Sequence, residues 1–187
     1  MQLTIKTNDL KALLICAAKN DLRYYLNGVH FESTPAGYIA ASTDGHRLLC
    51  LNLPREAPEL NFKGLIPRAL IEAVTKCKAK VITISIDGDN VALLGDINIA
   101  GKLAEGVFPD FRRVVPTSVT GVAGSQFNNE YLVDFDKVGK LLNGGKASVL
   151  QNDGACAMVK FERDDVVGVL MPMRHDLPTT LTRPAWL

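Results

Sequence analysis

Little in this chain of 187 residues is extreme, and each scarcity removes a class of protein. Cysteine is sparse: Cys16, Cys50, Cys77 and Cys156 stand far apart, with no Cys-x-x-Cys pair and no histidine at zinc-finger spacing. That excludes a disulfide framework and a metal knuckle, and reads as reduced, buried thiols. No apolar run approaches the roughly 18 residues of a membrane helix. The opening Met1-Gln2-Leu3-Thr4-Ile5-Lys6 alternates polar and apolar residues, where a signal peptide would place a basic segment before an apolar one. A soluble cytoplasmic protein with no membrane contact is the expectation. Neither sign of charge dominates, since 21 Lys and Arg against 20 Asp and Glu leave +1. Any nucleic-acid surface must therefore be a local basic face. A phosphate-cradling loop is missing too: Gly144-Gly145-Lys146 lacks the upstream glycine of a P-loop and follows a helical segment instead of opening one. His30, His46 and His175 have no ligand spacing, so neither metal nor cofactor is expected. What the chain does have is apolar substance, 47% hydrophobic against 22% charged. By surface scaling it can bury about 70% of its unfolded area, enough for a core without staples.

Three stretches share one rhythm of a short extended segment, a helix and several strands. In the first, Leu3 and Ile5 precede Asn8-Asp9, read as a helix start, and Leu10, Leu13, Leu14, Ala17 and Ala18 fall on one helical face. Strand-like runs follow at 23–31, 38–42 and 46–53. In the second, 62–66 is extended, Pro67 takes the first helical position, and Leu70, Ile71, Val74 and Cys77 form the buried stripe. Residues 81–86 alternate into the turn Asp87-Gly88-Asp89-Asn90, and runs at 91–94 and 97–102 complete a hairpin and a further strand. Residues 106–124, with Pro109, Pro116, Gly121 and Gly124, read as a connector. In the third stretch Asn128 is a cap for a helix carrying Tyr131, Leu132, Phe135, Val138, Leu141 and Leu142, and strands follow at 147–151, 155–161 and 166–171. Residues 175–187 read as a tail.

Four motifs then converge. Arg23-Tyr24-Tyr25-Leu26-Asn27-Gly28, Thr43-Asp44-Gly45-His46-Arg47-Leu48, Phe108-Pro109-Asp110-Phe111-Arg112-Arg113-Val114 and Val169-Leu170-Met171-Pro172-Met173-Arg174 resemble, in order, the bacterial DNA polymerase III beta-subunit, or sliding-clamp, family. The resemblance implies an α+β fold, the DNA clamp fold, of repeated β-α-β-β-β half-units with helices packed on antiparallel sheets. Residues 1–116 resemble the family's middle domain, 117–125 a linker, and 126–174 only the second half of its last domain. The family's ring holds twelve half-units from two three-domain chains, whereas this chain has three. Twelve half-units then imply four chains, a homotetramer in which the third half-unit is completed by another subunit.

The resemblance also implies two sites. A peptide pocket for polymerases and other proteins carrying clamp-binding motifs would use Leu26, Thr43, Gly45, His46, Arg47, Leu48, Pro109, Arg113 and Val114 on one wall. Asn128, Tyr131, Val169, Leu170, Met171, Pro172, Met173 and Arg174 form the other. Apolar Leu, Val and Met surfaces suit a leucine and an aromatic anchor, and His46, Arg47 and Arg174 suit the motif's polar end. The bland alternative makes Leu48, Val114 and Leu170 plain core. A DNA-facing surface would use Lys11, Lys19, Arg68, Lys76, Lys78, Lys80, Lys137, Lys140 and Lys146 on or beside the helices, with Arg23 and Tyr24 in a neighbouring loop. Such cations touch phosphate without reading bases; the alternative is solvated charge and helix-dipole partners. Thr43-Asp44-Gly45-His46 admits a catalytic reading, but Asp-Gly is first a turn signal and no nucleophile motif accompanies it, so no enzyme is expected. The expected function is a clamp around duplex DNA, either opened by a clamp loader as a further partner or assembling on DNA unaided. The alternative is a non-encircling peptide-binding adaptor, or a decoy of a host clamp. Trp186-Leu187 is a candidate for docking on a neighbouring subunit or in the pocket.

Overall fold

Period-two alternation in Val81-Ile82-Thr83-Ile84-Ser85-Ile86 puts three isoleucines on one face of a strand and buries all three. The same logic builds the rest of the computed structural model, which describes residues 2–54, 62–76, 78–116, 126–142, 145–150 and 156–173. The first half-unit is β1 (Gln2–Lys6), α1 (Thr7–Cys16), β2 (Gly28–Thr34), β3 (Gly37–Thr43) and β4 (Arg47–Pro54). The second is β5 (Lys63–Pro67), α2 (Arg68–Val74), β6 (Val81–Asp87), β7 (Asn90–Leu94) and β8 (Ile99–Lys102). The third is α3 (Asn129–Leu141), β9 (Ser148–Leu150), β10 (Ala157–Lys160) and β11 (Val166–Leu170).

These strands form two antiparallel sheets. One has the order β1-β6-β7-β8, and the other runs β5-β2-β3-β4-β11-β10-β9, crossing without a break from the first half-unit into the third. The join is Val166 to Leu170 against Leu51 to Arg47. The helices pack in one layer, α1 touching both α2 and α3. Leu10, Leu13 and Leu14 of α1 share one core with Ile71 and Val74 of α2 and with Phe135 and Val138 of α3. A smaller core gathers Leu26, Leu48, Cys50, Phe108, Phe111 and Val169. Burial pushes the Cys16 and Cys50 thiols up to about 12, which keeps them protonated and unreactive. Among the described residues no helix is long and apolar enough to cross a membrane.

Three local expectations need correction, and the connector gains detail. Helix α1 starts at Thr7, and Asp9 does not cap it. Asp9 is buried and binds Arg163 of the third half-unit through both carboxylate oxygens, at 2.8 and 3.2 Å. Pro67 closes β5 and stands outside α2 as its N-cap, because its ψ of 138° is extended. The connector is ordered over 106–116, where Phe108 and Phe111 pin it to the first half-unit; 117–125 lie outside the described residues. The segment before α3 forms no strand within the chain. Asn128 does cap α3, its side-chain oxygen accepting from Glu130 N at 2.9 Å. Cys77, Asn143, Gly144, Arg174 and the tail, including Trp186-Leu187, lie outside the described residues.

Candidate functional site: an apolar cleft between half-units

Where the third half-unit meets the first, two short turns and a strand end enclose a cleft of about 170 Å³. Leu26 ends one 3-10 turn, Phe111 and Val114 bound another, and Val169 and Met171 come from β11 and the residue after it. The turn between β3 and β4 forms the rim. It is shaped by its own side chains: Thr43 Oγ1 accepts from Gly45 N (3.0 Å) and donates to Arg47 O (2.6 Å), while Asp44 Oδ1 accepts from His46 N (2.9 Å) and Arg47 N (3.1 Å). Gly45 is required there, since its φ is +92° and an added Cβ would sit 2.8 Å from Arg23 Nη1. These bonds also dispose of the catalytic reading. The Asp44 carboxylate binds backbone N–H groups and Arg47, and the His46 ring lies against Tyr131 with centroids 6.1 Å apart.

Arg47 locks the two half-units behind this rim. Its Nη1 donates to Asp134 on α3 at 2.6 Å, its Nε to Asp44 at 3.0 Å, and its guanidinium stacks over Tyr131 at 4.7 Å. Burial acts to lower the Arg47 pKa, but the Asp134 hydrogen bond and the negative charges of Asp44 and Asp134 together outweigh it and hold the group above its ordinary value. For Asp134 burial acts upward, and the bonds from Arg47 and Lys137 hold it below the usual carboxylate range. The backbone adds a staple, Met171 N donating to His46 O at 2.9 Å. Arg47 is thus a structural tie as well as a lining residue.

Of the residues expected at a pocket, the structure brings Leu26, Thr43, Gly45, Arg47, Leu48, Pro109, Val114, Val169 and Met171 to the cleft. His46 and Tyr131 stand beside it, and Asn128 is spent as a helix cap. Arg113, Pro172 and Met173 are outside the lining, and Leu170 is fully buried, so the plain-core reading holds for it. Arg174 lies outside the described residues. Three lining residues were missed, Tyr25, Asp110 and Phe111, although all three sit inside the quoted motifs. Arg23, which the resemblance places on the DNA-facing surface, also lines the cleft. Its guanidinium is bound to Asp21 at 2.7 Å and to the Asp44 carbonyl, and the hydrogen bonds that the Arg23 side chain and backbone N–H donate to Asp21 hold that carboxyl down at about 2.

The cations divide. Arg68 leaves the DNA-facing set: its Nη1 donates to the Leu14 and Ala17 carbonyls at 2.8 Å and its Nε to Glu72, closing the end of α1. Lys137 and Lys140 pair with Asp134 and Asp136 on α3. Lys11 on α1 is half-buried; Lys19, Tyr24, Lys76, Lys78, Lys80 and Lys146 are exposed around the helix ends.

Comparison with known proteins follows the same outline. The family described as DNA polymerase III beta subunit, central domain, matches residues 4–110. The beta sliding clamp of Salmonella typhimurium is 37% identical over 103 residues, 53% of this chain and 28% of that protein. That of Escherichia coli K12 is 33% identical over 111 residues, 57% and 30% of the two. In these alignments the chain therefore spans about three-tenths of its relatives' length. Among solved structures, the DNA polymerase III beta subunit of Pseudomonas aeruginosa superposes with a TM-score of 0.75 at 21% identity, over 94% of this chain and 67% of that one. The Thermotoga maritima subunit gives 0.74 at 15% identity, over 94% and 66%. The likeness in fold thus extends through the third half-unit, beyond the family match.

Proposed function

Because the chain belongs to the DNA polymerase III beta-subunit family, we propose that it is a short sliding clamp: a ring around duplex DNA that tethers a polymerase by topology and catalyses nothing itself. The observation that carries the reading is the cleft. It is apolar at its centre, polar at its rim, and lies across the junction of two half-units held by Arg47, the place the family resemblance gives to peptide binding. A leucine or aromatic anchor of a polymerase peptide fits between Leu26, Val114, Val169 and Met171, while Arg23 and Arg47 face its polar end.

With three half-units per chain and twelve per ring, four copies of 20.3 kDa assemble to about 81 kDa. The single helix layer becomes the lining of the hole. Lys11, Lys19, Lys76, Lys78, Lys80 and Lys146 face the phosphates there and leave the bases unread.

The test is retention on DNA. The full chain is mixed with nicked circular plasmid, passed over a sizing column at moderate salt, and run again after the plasmid is cut once. Co-elution with the circle that is lost on linearisation supports encirclement. Equal retention on both forms, or none, refutes it. In parallel, a fluorescent peptide with leucine and phenylalanine anchors is titrated against the chain and Met171→Asp. Burying a carboxylate against an apolar anchor lowers affinity at least tenfold, and equal affinities would remove the cleft as the peptide site. Peptide binding without DNA retention is the signature of the non-encircling adaptor.

A further inference from the structure

The first two half-units are joined by exchanging the strands that lead into their helices. β1 pairs with β6, setting Lys6 opposite Val81, Ile5 opposite Ile82 and Thr4 opposite Thr83. β5 pairs with β2, setting Pro67 opposite Gly28, Ile66 opposite Val29 and Leu65 opposite His30. In both, the residue just before the helix faces the first residue of the other unit's post-helix strand. Matching backbone bonds close each exchange: Thr7 N donates to Lys80 O and Arg68 N to Asn27 O, both at 2.9 Å. The relation is reciprocal, a local two-fold.

A leading strand is also tied to its own half-unit. Ala104 N, just past β8, donates to Leu65 O at 2.8 Å, three residues ahead of α2. The third half-unit repeats this bond. Met173 N, just past β11, donates to Gln126 O at 2.8 Å, three residues ahead of α3. Gln126-Phe127-Asn128 therefore occupies the place of a leading strand, yet it has no strand partner among the described residues. β9, the counterpart of β2 and β6, ends the seven-stranded sheet, and its outer edge has none either. One half-unit thus carries both open halves of the exchange.

We propose that the third half-unit is completed by that of a second copy of this chain, each copy adding residues 126–128 antiparallel to the other's β9. The register follows from the two pairings already in the fold: Asn128 opposite Ser148 of the second copy, Phe127 opposite Val149, Gln126 opposite Leu150. The side chains suit it. Phe127 and Val149 both pack partly buried against the main core, where the equivalent pairs are Ile66–Val29 and Ile5–Ile82. β9 reads Ser-Val-Leu, with none of the lysines, prolines or bulges that guard an edge strand from a partner. A second copy is the occupant because the two open edges belong to the same half-unit and are complementary, so one two-fold satisfies both at once.

The pairing supplies one interface for the ring proposed above, and it is tested without DNA. Gln126→Cys and Leu150→Cys are placed together in the full chain and oxidised. Opposite cysteines of an antiparallel pair lie within disulfide reach, at about 4.5–5.5 Å between Cα atoms. The expected result is a covalent dimer on a non-reducing gel, absent from the parent chain, from each single variant and from Gln126→Cys with Ser148→Cys. Light scattering of the unmodified chain gives at least a dimer across a micromolar dilution series. Overturning results are a monomer of 20.3 kDa throughout, or cross-linking as efficient in the shifted pair as in the registered one. Cross-linking without retention on circular DNA would refute the ring and leave the pairing. Retention without cross-linking would refute the pairing and leave the ring.

Discussion

Replacing Arg163 by Met tests what fastens the third half-unit to the first. Arg163 donates to both oxygens of Asp9 and, at 2.6 and 2.9 Å, to Asp165. The two carboxylates are not equivalent. Asp9, 3% exposed, is cut off from water, whereas Asp165 keeps about a third of its side chain in solvent. Freeing an exposed carboxylate costs under about 1 kcal/mol, while leaving a buried one without its cation costs about 3–5 kcal/mol. Arg163 is itself partly solvated, so the loss expected for Arg163→Met is about 3 kcal/mol. For a chain of this length that is a fall in Tm of about 6–12 °C. In urea the midpoint moves down by about 1.5 M at an m of about 2 kcal/mol/M. Adding Asp9→Leu to Arg163→Met removes the stranded charge and recovers most of the loss, since an apolar pair of similar volume often matches a buried ion pair. A loss below 1 kcal/mol in the single variant, or a double variant no more stable than the single, would refute the reasoning.

Two further outcomes are expected. Burial beneath Phe108, stacked at 4.8 Å, outweighs the pull of Glu32 and holds His30 below its ordinary 6.5, so the unfolded chain takes the proton more readily and stability is lost as pH falls below about 6.5. Glu32 adds a second loss below about 4.5: burial acts upward on it, but its bonds to Arg112 and His30 hold its carboxyl below that ordinary value, so the stability is present above it. His30→Gln removes the slope that sets in below about pH 6.5 in a Tm series and keeps the one below about 4.5; an unchanged upper slope counts against this account. Gly28→Ala places a Cβ 2.4 Å from the Ile66 carbonyl oxygen in the β2–β5 pair, a backbone clash that lowers stability by about 1–3 kcal/mol. A parental Tm would show that the two strands do not sit this close.

Local pattern was enough for the helix stripes, the alternating strands and the Asn128 cap, because each is decided within a few residues. What it missed has its cause far along the chain. Asp9 looks like a helix start until Arg163, 154 positions later, claims it. Arg68 looks like a surface cation until it meets carbonyls some 50 positions earlier at the end of α1. Phe108 and Phe111 sit in a segment whose prolines and glycines say connector, and only the smaller core explains how residues 106–116 pack on the first half-unit. The cleft was legible in the four motifs, but its division was not. Leu170 and Val169 are adjacent in β11 and face opposite ways, one into the main core and one into the cleft, as strand alternation demands once the register is known. Gln126–Asn128 was the hardest case, since three residues are too few to show a period.

The open edges of the chain also constrain the ring proposed above. β8 and β4 are the last strands of equivalent half-units; β4 is taken by β11, and β8 has no outer strand partner among the described residues. Each chain then offers two edges, the third half-unit at one end and β8 at the other. If both contacts are self-complementary, copies alternate head to head and tail to tail, and a closed ring must contain an even number of chains. Four is the number that makes twelve half-units. In that proposed ring, a two-fold in each contact that keeps the helices on the inner side, as the local two-fold between the first two half-units keeps α1 beside α2, exchanges the two faces. Neighbouring chains then present their clefts on opposite faces, two on each. This is decided by imaging rings saturated with a polymerase peptide fused to a bulky tag. The expected particles carry tag density above and below the ring plane in equal measure. Density confined to one face would show that the chains run head to tail, and would remove the two-fold pairing of the third half-unit with it.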